Sequence, residues 1–129
     1  MQLHITRPNK IITCPVDDRR PIWVDQDSNI VDGHSRYLSH RIYGTPLKIN
    51  LLKLSPAFEV DIENLVLTKP KNEEYTSQDL EELLGIPIII RRDNGTGLYV
   101  VVLGNTRIYE YITRDYQTIR AKEIIAEVT

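Results

Sequence analysis

The sequence has very little cysteine and no long apolar run. Its one cysteine, Cys14, has no partner for an internal disulfide, and zinc-type Cys/His spacing is absent from the sequence. A reducing cytoplasm is therefore the expected environment. The longest apolar runs, residues 86–90 and 98–103, are strand-length and far below the roughly 20 residues of a membrane span. We expect a soluble chain without a membrane partner.

Strong charge of one sign is also missing. The chain has 16 Lys and Arg residues against 18 Asp and Glu residues, which gives a formal net charge of -2. Such a balance excludes the overall positive field of a non-specific nucleic-acid coat protein, so any site for a polyanion must be local. The 129 residues, 41% of them hydrophobic, suffice for one ordinary domain or two very small ones.

A pattern of elements occurs twice along the chain. Residues 21–33 predict a β-hairpin with a turn at 25–29, and a helix then runs to Gly44 and is followed by a strand at 47–54. Leu38 and Ile42 define the apolar face predicted for that helix. The second copy has a strand at 87–91, a return strand at 99–103, a helix after Gly104 and a strand at 118–125.

The repeat predicts an α/β fold of two abbreviated strand-hairpin-helix-strand units. We assign the first unit to residues 1–56 and the second to 57–129, and expect them to pack pseudo-symmetrically into one compact domain, because each alone would have a marginal core. Between the two copies, residues 59–82 are strongly acidic. A helix predicted at 76–85, with Thr76 or Ser77 as its N-cap, begins within this segment.

The turn Asp32-Gly33-His34-Ser35-Arg36 has the chemistry of an anion site. A strand ends, a glycine permits close backbone approach, and a helix begins, so backbone N–H groups converge on one point. Ser35 adds a hydroxyl and Arg36 a planar fork that suits phosphate oxygens. Residues 33–58 contain no Asp or Glu, which makes this segment locally basic. The alternative is that Asp32 or Ser35 caps the helix and Arg36 pairs with a surface acid.

The second copy of this turn is Gly104-Asn105-Thr106-Arg107. It keeps the glycine, a hydroxyl and the arginine, but Asn105 has no group that titrates near neutral pH. This turn is either a phosphate clamp or a structural remnant. In the first turn, Asp32 and His34 are candidates for metal ligands, for general acid or base, or for simple hydrogen bonding.

The stretch PIWVDQDSNIVDGHSRYLSHRIYG, residues 21–44, resembles the core of the ParB/sulfiredoxin superfamily. The stretch from residue 65 to residue 112, with its GNTR turn, is similar to the ParB-type order of loop, short helix, strand and turn. The resemblance implies a ParB-like fold with a nucleotide or phosphate site at the first turn and a counterpart at the second. The implied residues are Gly33, His34, Ser35 and Arg36, with Gly104, Asn105, Thr106 and Arg107.

Members of this superfamily include CTP-binding partition proteins, ATP-using sulfiredoxins, ADP-dependent free-serine kinases and ParB-like nucleases. The resemblance therefore implies CTP, ATP or ADP with Mg²⁺ as ligand, or a nucleic-acid phosphate. It also suggests nuclease or phosphoryl-transfer activity through Asp32 and His34, and by analogy a phage or mobile-element origin. Sulfiredoxin reductase activity is not expected, because His34 stands where that nucleophile aligns. The alternative is a catalytically silent adaptor that binds protein or DNA.

Overall fold

The computed structural model describes residues 3–4, 6, 14–16, 19–71 and 77–128. By compactness the chain divides into unit 1, which comprises Met1–Lys53 with Ala126–Thr129, and unit 2, which comprises Leu54–Ile125. In the part of the chain that the structure describes, no helix is both long and apolar enough to cross a membrane.

Unit 1 is built on the hairpin predicted for residues 21–33. Its elements are β1 (Ile22–Val24), β2 (Ile30–Asp32), α1 (His34–Tyr43) and β3 (Ile49–Leu54). Strand β1 pairs antiparallel with β2 and parallel with β3. The buried Asp25 closes the hairpin turn, because its carboxylate accepts hydrogen bonds from the backbone N–H groups of Asp27 and Asn29.

A segment near the N-terminus extends this small sheet. The backbone N–H of His4 donates to the Ser28 carbonyl at 2.8 Å, and the His4 carbonyl accepts from the Ile30 N–H at 2.9 Å. His4 thereby forms a parallel bridge to Asn29 at the outer edge of β2. Sequence analysis did not predict this pairing, which joins residues far apart in the chain.

Unit 2 repeats the hairpin, helix and return strand with further elements around them. In chain order it has β4 (Phe58–Asp61), a 3-10 helix (Ile62–Asn64), β5 (Leu65–Val66), α2 (Ser77–Leu83), β6 (Ile88–Arg92), β7 (Tyr99–Leu103), α3 (Asn105–Thr113) and most of β8 (Thr118–Val128). Strand β7 pairs antiparallel with β6 and parallel with β5. Strand β8 pairs parallel with β6 and antiparallel with β4.

The two units therefore share one topology. In each, an antiparallel hairpin leads through a glycine into a helix, and the strand after the helix returns parallel to the first strand of the hairpin. The predicted α/β class with two strand-hairpin-helix-strand units is confirmed. The helix predicted at 76–85 is present as α2, while its predicted N-cap at Thr76 or Ser77 lies outside the described side chains.

The buried face of α1 differs from the predicted one. The helix buries Tyr37 and Ser39, whereas Ile42 is 58% exposed. The phase is set at the start of the helix, where the Tyr37 N–H bonds the Gly33 carbonyl and the fourth residue after the glycine turns inward. Ile108, four residues after Gly104, is fully buried in the same way. The glycine turn thus decides which side chains of each helix reach the core.

Each unit has its own apolar cluster on the sheet face beneath its helix. In unit 1 the buried members are Ile22, Val24, Ile30 and Tyr37. The cluster of unit 2 is larger and takes residues from five elements: Val60, Ile88, Ile90, Val101, Ile108, Ile119 and Ala121. Both clusters lie directly behind the glycine turns, so packing fixes the position of each turn.

Candidate functional site

The first glycine turn is held by close packing against β1. Gly33 is the N-cap of α1 and has a φ of 94°. A Cβ at this position would lie 2.6 Å from Cγ2 of Ile22 and 2.9 Å from Nη2 of Arg36. Only glycine fits this conformation and this gap, so the predicted role of Gly33 in a close turn has a clear structural reason.

Arg36 is a structural residue as well as a candidate ligand contact. Its side chain is 11% exposed, and its Nη2 donates to the Pro21 carbonyl at 3.3 Å and to Oδ2 of Asp32 at 3.5 Å. The guanidinium therefore ties α1 to the backbone just before β1. Sequence analysis gave the pairing of Arg36 with an acid as its alternative, and the contact with Asp32 is of that kind. The contact with the Pro21 carbonyl was not foreseen, because residue type alone does not reveal which way a long side chain points.

His34 lies beside Arg36 in the turn and faces the N-terminal segment. Its Nε2 lies 3.3 Å from the backbone nitrogen of Thr6 and 3.1 Å from Thr6 Oγ1. The Thr6 hydroxyl itself donates to the Ile30 carbonyl at 2.6 Å. His34 is half-buried and Ser35 is exposed. The ring of His34 thus connects the first residue of α1 with the segment at the edge of β2.

Two adjoining pockets open at this turn. The first, of about 290 Å³, contains the predicted residues Asp32, Gly33, His34, Ser35 and Arg36, together with Val16 and Arg20. The second, of about 470 Å³, shares Val16, Arg20 and Arg36 with the first. Its remaining lining residues are Pro15, Arg19, Thr45, Pro46, Leu47 and Lys48. We call the two pockets together the basic cleft.

Cations dominate the lining of the basic cleft. Arg19, Arg20, Arg36 and Lys48 contribute positive side chains, and Asp32 is the one carboxylate among the described lining residues. Lys48 lies within the acid-free segment 33–58 that sequence analysis described as basic, whereas Arg19 and Arg20 lie before it and were missed. Their position could have predicted this: Arg19 and Arg20 come immediately before Pro21 and β1, and formation of the hairpin brings the start of β1 next to the glycine turn.

The second glycine turn has the same backbone construction. Gly104 has a φ of 110°, and a Cβ there would lie 2.5 Å from Cγ2 of Ile88. Arg107, 4% exposed, donates to the carbonyls of Ile86 and Pro87, just before β6. Arg107 therefore ties α3 to the backbone just before β6, as Arg36 ties α1 to the backbone just before β1. The turn is fixed by packing and by buried hydrogen bonds.

The remaining polar side chains of the second turn differ in exposure. Asn105 is buried; its Oδ1 accepts from the backbone N–H of Thr68 at 2.9 Å, and its Nδ2 donates to Thr68 Oγ1 at 3.2 Å. The Thr68 hydroxyl donates to the Val101 carbonyl at 2.7 Å, as Thr6 does to Ile30. Thr106 is half-buried. The Asn105 side chain thus forms its hydrogen bonds with Thr68 inside unit 2.

These contacts extend the repeat beyond what sequence analysis recognised. Thr6 and His34 in unit 1 correspond to Thr68 and Asn105 in unit 2. The sequences Leu3-His4-Ile5-Thr6 and Leu65-Val66-Leu67-Thr68 share Leu and Thr at the same spacing. That match could have predicted that the two segments occupy equivalent places, each beside the second strand of the hairpin in its unit. It is short, and it was overlooked because it lies apart from the hairpins.

A metal centre made of protein ligands alone is not formed by the described side chains, since no group of three or more His, Cys, Asp or Glu residues lies together there. Asp32 could offer one carboxylate oxygen to Mg²⁺, although that carboxylate also faces Arg36 at 3.5 Å. Mg²⁺ commonly binds through one or two carboxylates plus substrate phosphates, so Asp32 is the described residue of the cleft that could contact such a cation.

Comparison with known proteins finds similar solved structures. No family model and no curated protein matches the chain. The C-terminally truncated chromosome-partitioning protein ParB from Caulobacter crescentus, complexed with CTP-γ-S, matches with 23% identity and a TM-score of 0.41, over 54% of this chain and 44% of that one. The likeness covers only part of each chain.

A second crystal structure of truncated ParB from the same organism, complexed to the centromeric parS site, matches with 26% identity and a TM-score of 0.38. This match covers 51% of the present chain and 37% of the ParB chain. The chain thus spans less than half the length of either ParB chain that it matches.

Proposed function

We propose that the basic cleft of unit 1 binds a nucleotide or another ligand that carries phosphate groups. The observation that supports this most directly is the charge of the cleft. Four cationic side chains line it, and its one described carboxylate is that of Asp32. Because the chain as a whole has a net charge of -2, this positive surface is a local feature and not a consequence of composition.

The glycine turn explains why a phosphate would bind at one end of the cleft. Gly33 has no side chain to shield the first N–H groups of α1, and a helix N-terminus carries partial positive charge. Ser35 lines the same pocket with an exposed hydroxyl, and Arg20 and Arg36 line it with guanidinium groups. Guanidinium forks match the spacing of phosphate oxygens.

The other end of the cleft suits a less polar group. Pro15, Val16, Pro46 and Leu47 line the second pocket beside Lys48. Small-molecule sites generally combine an apolar wall with a few placed polar groups. A nucleoside could lie against this wall while its phosphates reach the glycine turn, and CTP, ATP and ADP all have this division between apolar and charged parts.

We place the ligand at the first turn and not at the second. Asn105 and Arg107 are buried, and both bond to backbone groups within unit 2. A contribution of Gly104, Asn105, Thr106 and Arg107 to ligand binding stays a prediction. The same holds for catalysis by Asp32 and His34, whether as nuclease or in phosphoryl transfer, and for the alternative adaptor role.

The proposal is tested by the thermal stability of the whole chain with CTP, ATP, ADP and a short DNA duplex, each with and without Mg²⁺. A ligand at 100 times its dissociation constant adds about 2.7 kcal/mol to the free energy of unfolding. We expect at least one nucleotide to raise the melting temperature. Release of nucleotide product or cleavage of the duplex, followed in the same samples, tests the catalytic prediction.

Matched variants locate the binding site. Arg20→Ala and Lys48→Ala remove cations that line the cleft, whereas Lys53→Ala removes an exposed cation of β3 that does not line it. A hydrogen bond to a charged group contributes about 1.5 to 3 kcal/mol, so each cleft variant should weaken binding about tenfold or more. Equal loss in all three variants, or no response to any phosphate compound, would refute the proposal.

A further inference from the structure

The turn between β6 and β7 places an asparagine directly before a glycine in an exposed position. Asn94 and Gly95 are both exposed, and they follow Arg92, the last residue of β6, and precede Tyr99, the first residue of β7. The sequence has no second Asn-Gly pair. A residue with a side chain follows each of the other asparagines, which are Asn9, Asn29, Asn50, Asn64, Asn72 and Asn105.

An asparagine before a glycine can lose its side-chain amide without an enzyme. The backbone nitrogen of the next residue loses its proton to hydroxide and attacks Cγ of the asparagine, and a cyclic imide forms as ammonia leaves. Water then adds to one carbonyl of the imide and breaks its bond to nitrogen, which gives aspartate or isoaspartate. The sum is hydrolysis of one amide, with no oxidant or reductant. Glycine favours the reaction because it has no side chain to hinder the attack.

The surroundings of Gly95 leave its nitrogen room to move. Apart from its chain neighbours, the one atom within 4 Å of a Cβ at this position would be Oδ1 of Asp93, at 3.6 Å. The backbone bonds that close the turn run from the Asp93 N–H to the Leu98 carbonyl and from the Gly97 N–H to the Asp93 carbonyl, each at 2.9 Å. Neither bond involves Asn94. The turn is thus held at its ends, with Asn94 and Gly95 between them.

The Asp93 carboxylate contacts the nitrogen that would attack. The Gly95 N–H donates to Oδ1 of Asp93 at 3.1 Å, and the Thr96 hydroxyl donates to Oδ2 at 2.8 Å. The bond from Thr96 and then the bond from Gly95 lower the pKa of the Asp93 carboxyl, so the group is ionised at neutral pH. A negative charge beside the Gly95 nitrogen opposes the loss of its proton, because two like charges would then lie close together.

We propose that Asn94 is a site of spontaneous deamidation and that Asp93 slows the reaction in the folded protein. Water and hydroxide are the reactants. The site lies in unit 2, and its residues do not line the basic cleft, so it does not depend on the ligand proposed for unit 1. Either product adds a negative charge next to Asp93. Isoaspartate also adds a carbon atom to the main chain, inside the loop closed by Gly97 and Asp93.

The test is peptide mapping of the whole chain by mass spectrometry during incubation at neutral and at mildly alkaline pH. We expect the Asn94 peptide to gain the mass of an acid over an amide and to separate into two products, one of which isoaspartate methyltransferase labels. Conversion should be faster than at Asn50 and Asn64 in the same samples, and faster at the higher pH, because the nitrogen must lose its proton. An Asn94 that persists as long as Asn50 and Asn64 would overturn the proposal.

The substitution Gly95→Ala supplies the matched variant, because the turn can accept it. The φ of Gly95 is not positive, and the added Cβ makes an ordinary contact at 3.6 Å. It should slow the conversion of Asn94 several-fold. Gly85→Ala is the control, since that glycine follows Leu84 and also has room for a Cβ. Equal rates in the two variants would refute the attack by Gly95.

The substitution Asp93→Asn tests the role of the carboxylate, because it removes the charge and keeps an oxygen that the Gly95 N–H can contact. We expect Asn94 to convert several-fold faster in the folded variant than in the original chain. In urea, where the turn is unfolded, the two chains should differ much less. Equal rates in the folded proteins, or the same difference in urea, would refute the role of Asp93.

Discussion

At the scale of single residues, the two glycines before α1 and α3 have the same structural role, which is to let the turn pack closely against the hairpin. Each has a positive φ, and each lies against the Cγ2 methyl of the isoleucine that begins the first hairpin strand of its unit. Sequence analysis found both glycines from the order of strand, glycine and helix. It could not find their isoleucine partners, because contact between Gly33 and Ile22, or between Gly104 and Ile88, requires the hairpin to be folded.

Replacing either glycine should therefore be strongly destabilising. In Gly33→Ala and Gly104→Ala, the left-handed conformation costs about 1 to 2 kcal/mol and overpacking against isoleucine adds about 1 to 3 kcal/mol. We expect the free energy of unfolding to fall by about 2 to 5 kcal/mol in each variant, measured by urea denaturation. Gly44→Ala and Gly97→Ala are the controls, since both positions have positive φ but no atom within 4 Å of the added Cβ. Controls that lose as much stability would show that packing is irrelevant.

At the scale of elements, the sequence predicted those helices and strands whose signals lie within a few neighbouring residues. The hairpins and helices carry their signals within a few residues, such as the Asp25 turn and the glycine before each helix, and they were found. Strands β4 and β5 were missed because four and two residues give little periodicity, and they form only by pairing with β8 and β7, which lie far away in the sequence. The predicted face of α1 was wrong for the same reason, since the sheet that selects Tyr37 is not visible in the helix sequence.

The contact between α2 and α3 is a testable case at this scale. The Tyr111 hydroxyl donates to the Leu84 carbonyl, just after α2, at 2.6 Å. Tyr111→Phe keeps the ring but loses the hydrogen bond, so the free energy of unfolding should fall by about 1 kcal/mol and amide exchange in α2 should accelerate. Tyr116→Phe is the control, because Tyr116 packs against Tyr111 but is 54% exposed. The assignment fails if the two variants behave alike in α2.

At the scale of the whole molecule, two cores of unequal size share one chain. The described cluster of unit 2 has seven buried residues and that of unit 1 has four. Since burial of apolar area is the main stabilising contribution, unit 2 should resist opening more than unit 1. We expect native-state hydrogen exchange in increasing urea to show β1 amides opening at lower free energy than β6 amides. The reverse order would contradict this ranking.

Equivalent substitutions in the two cores sharpen this comparison. Ile22→Val and Ile88→Val each remove one methylene from a fully buried side chain at the same position of the repeat. Such changes typically cost about 0.5 to 1.5 kcal/mol. Ile22→Val should accelerate exchange in unit 1 alone, whereas Ile88→Val should lower the free energy at which the β6 amides open. Identical exchange profiles for the two variants would indicate a single cooperative core.

The pairing of His4 and Thr6 in unit 1, and of residues 65–68 in unit 2, has a consequence for behaviour at high concentration. A hairpin strand with an open edge offers unsatisfied N–H and carbonyl groups to any other extended chain, which is a common route to aggregation. Here His4 pairs with the outer edge of β2, and β5 pairs with the outer edge of β7. The threonine at the end of each segment adds a hydroxyl bond to the strand that it covers. Each hairpin is thereby protected from sheet-to-sheet association by its own chain.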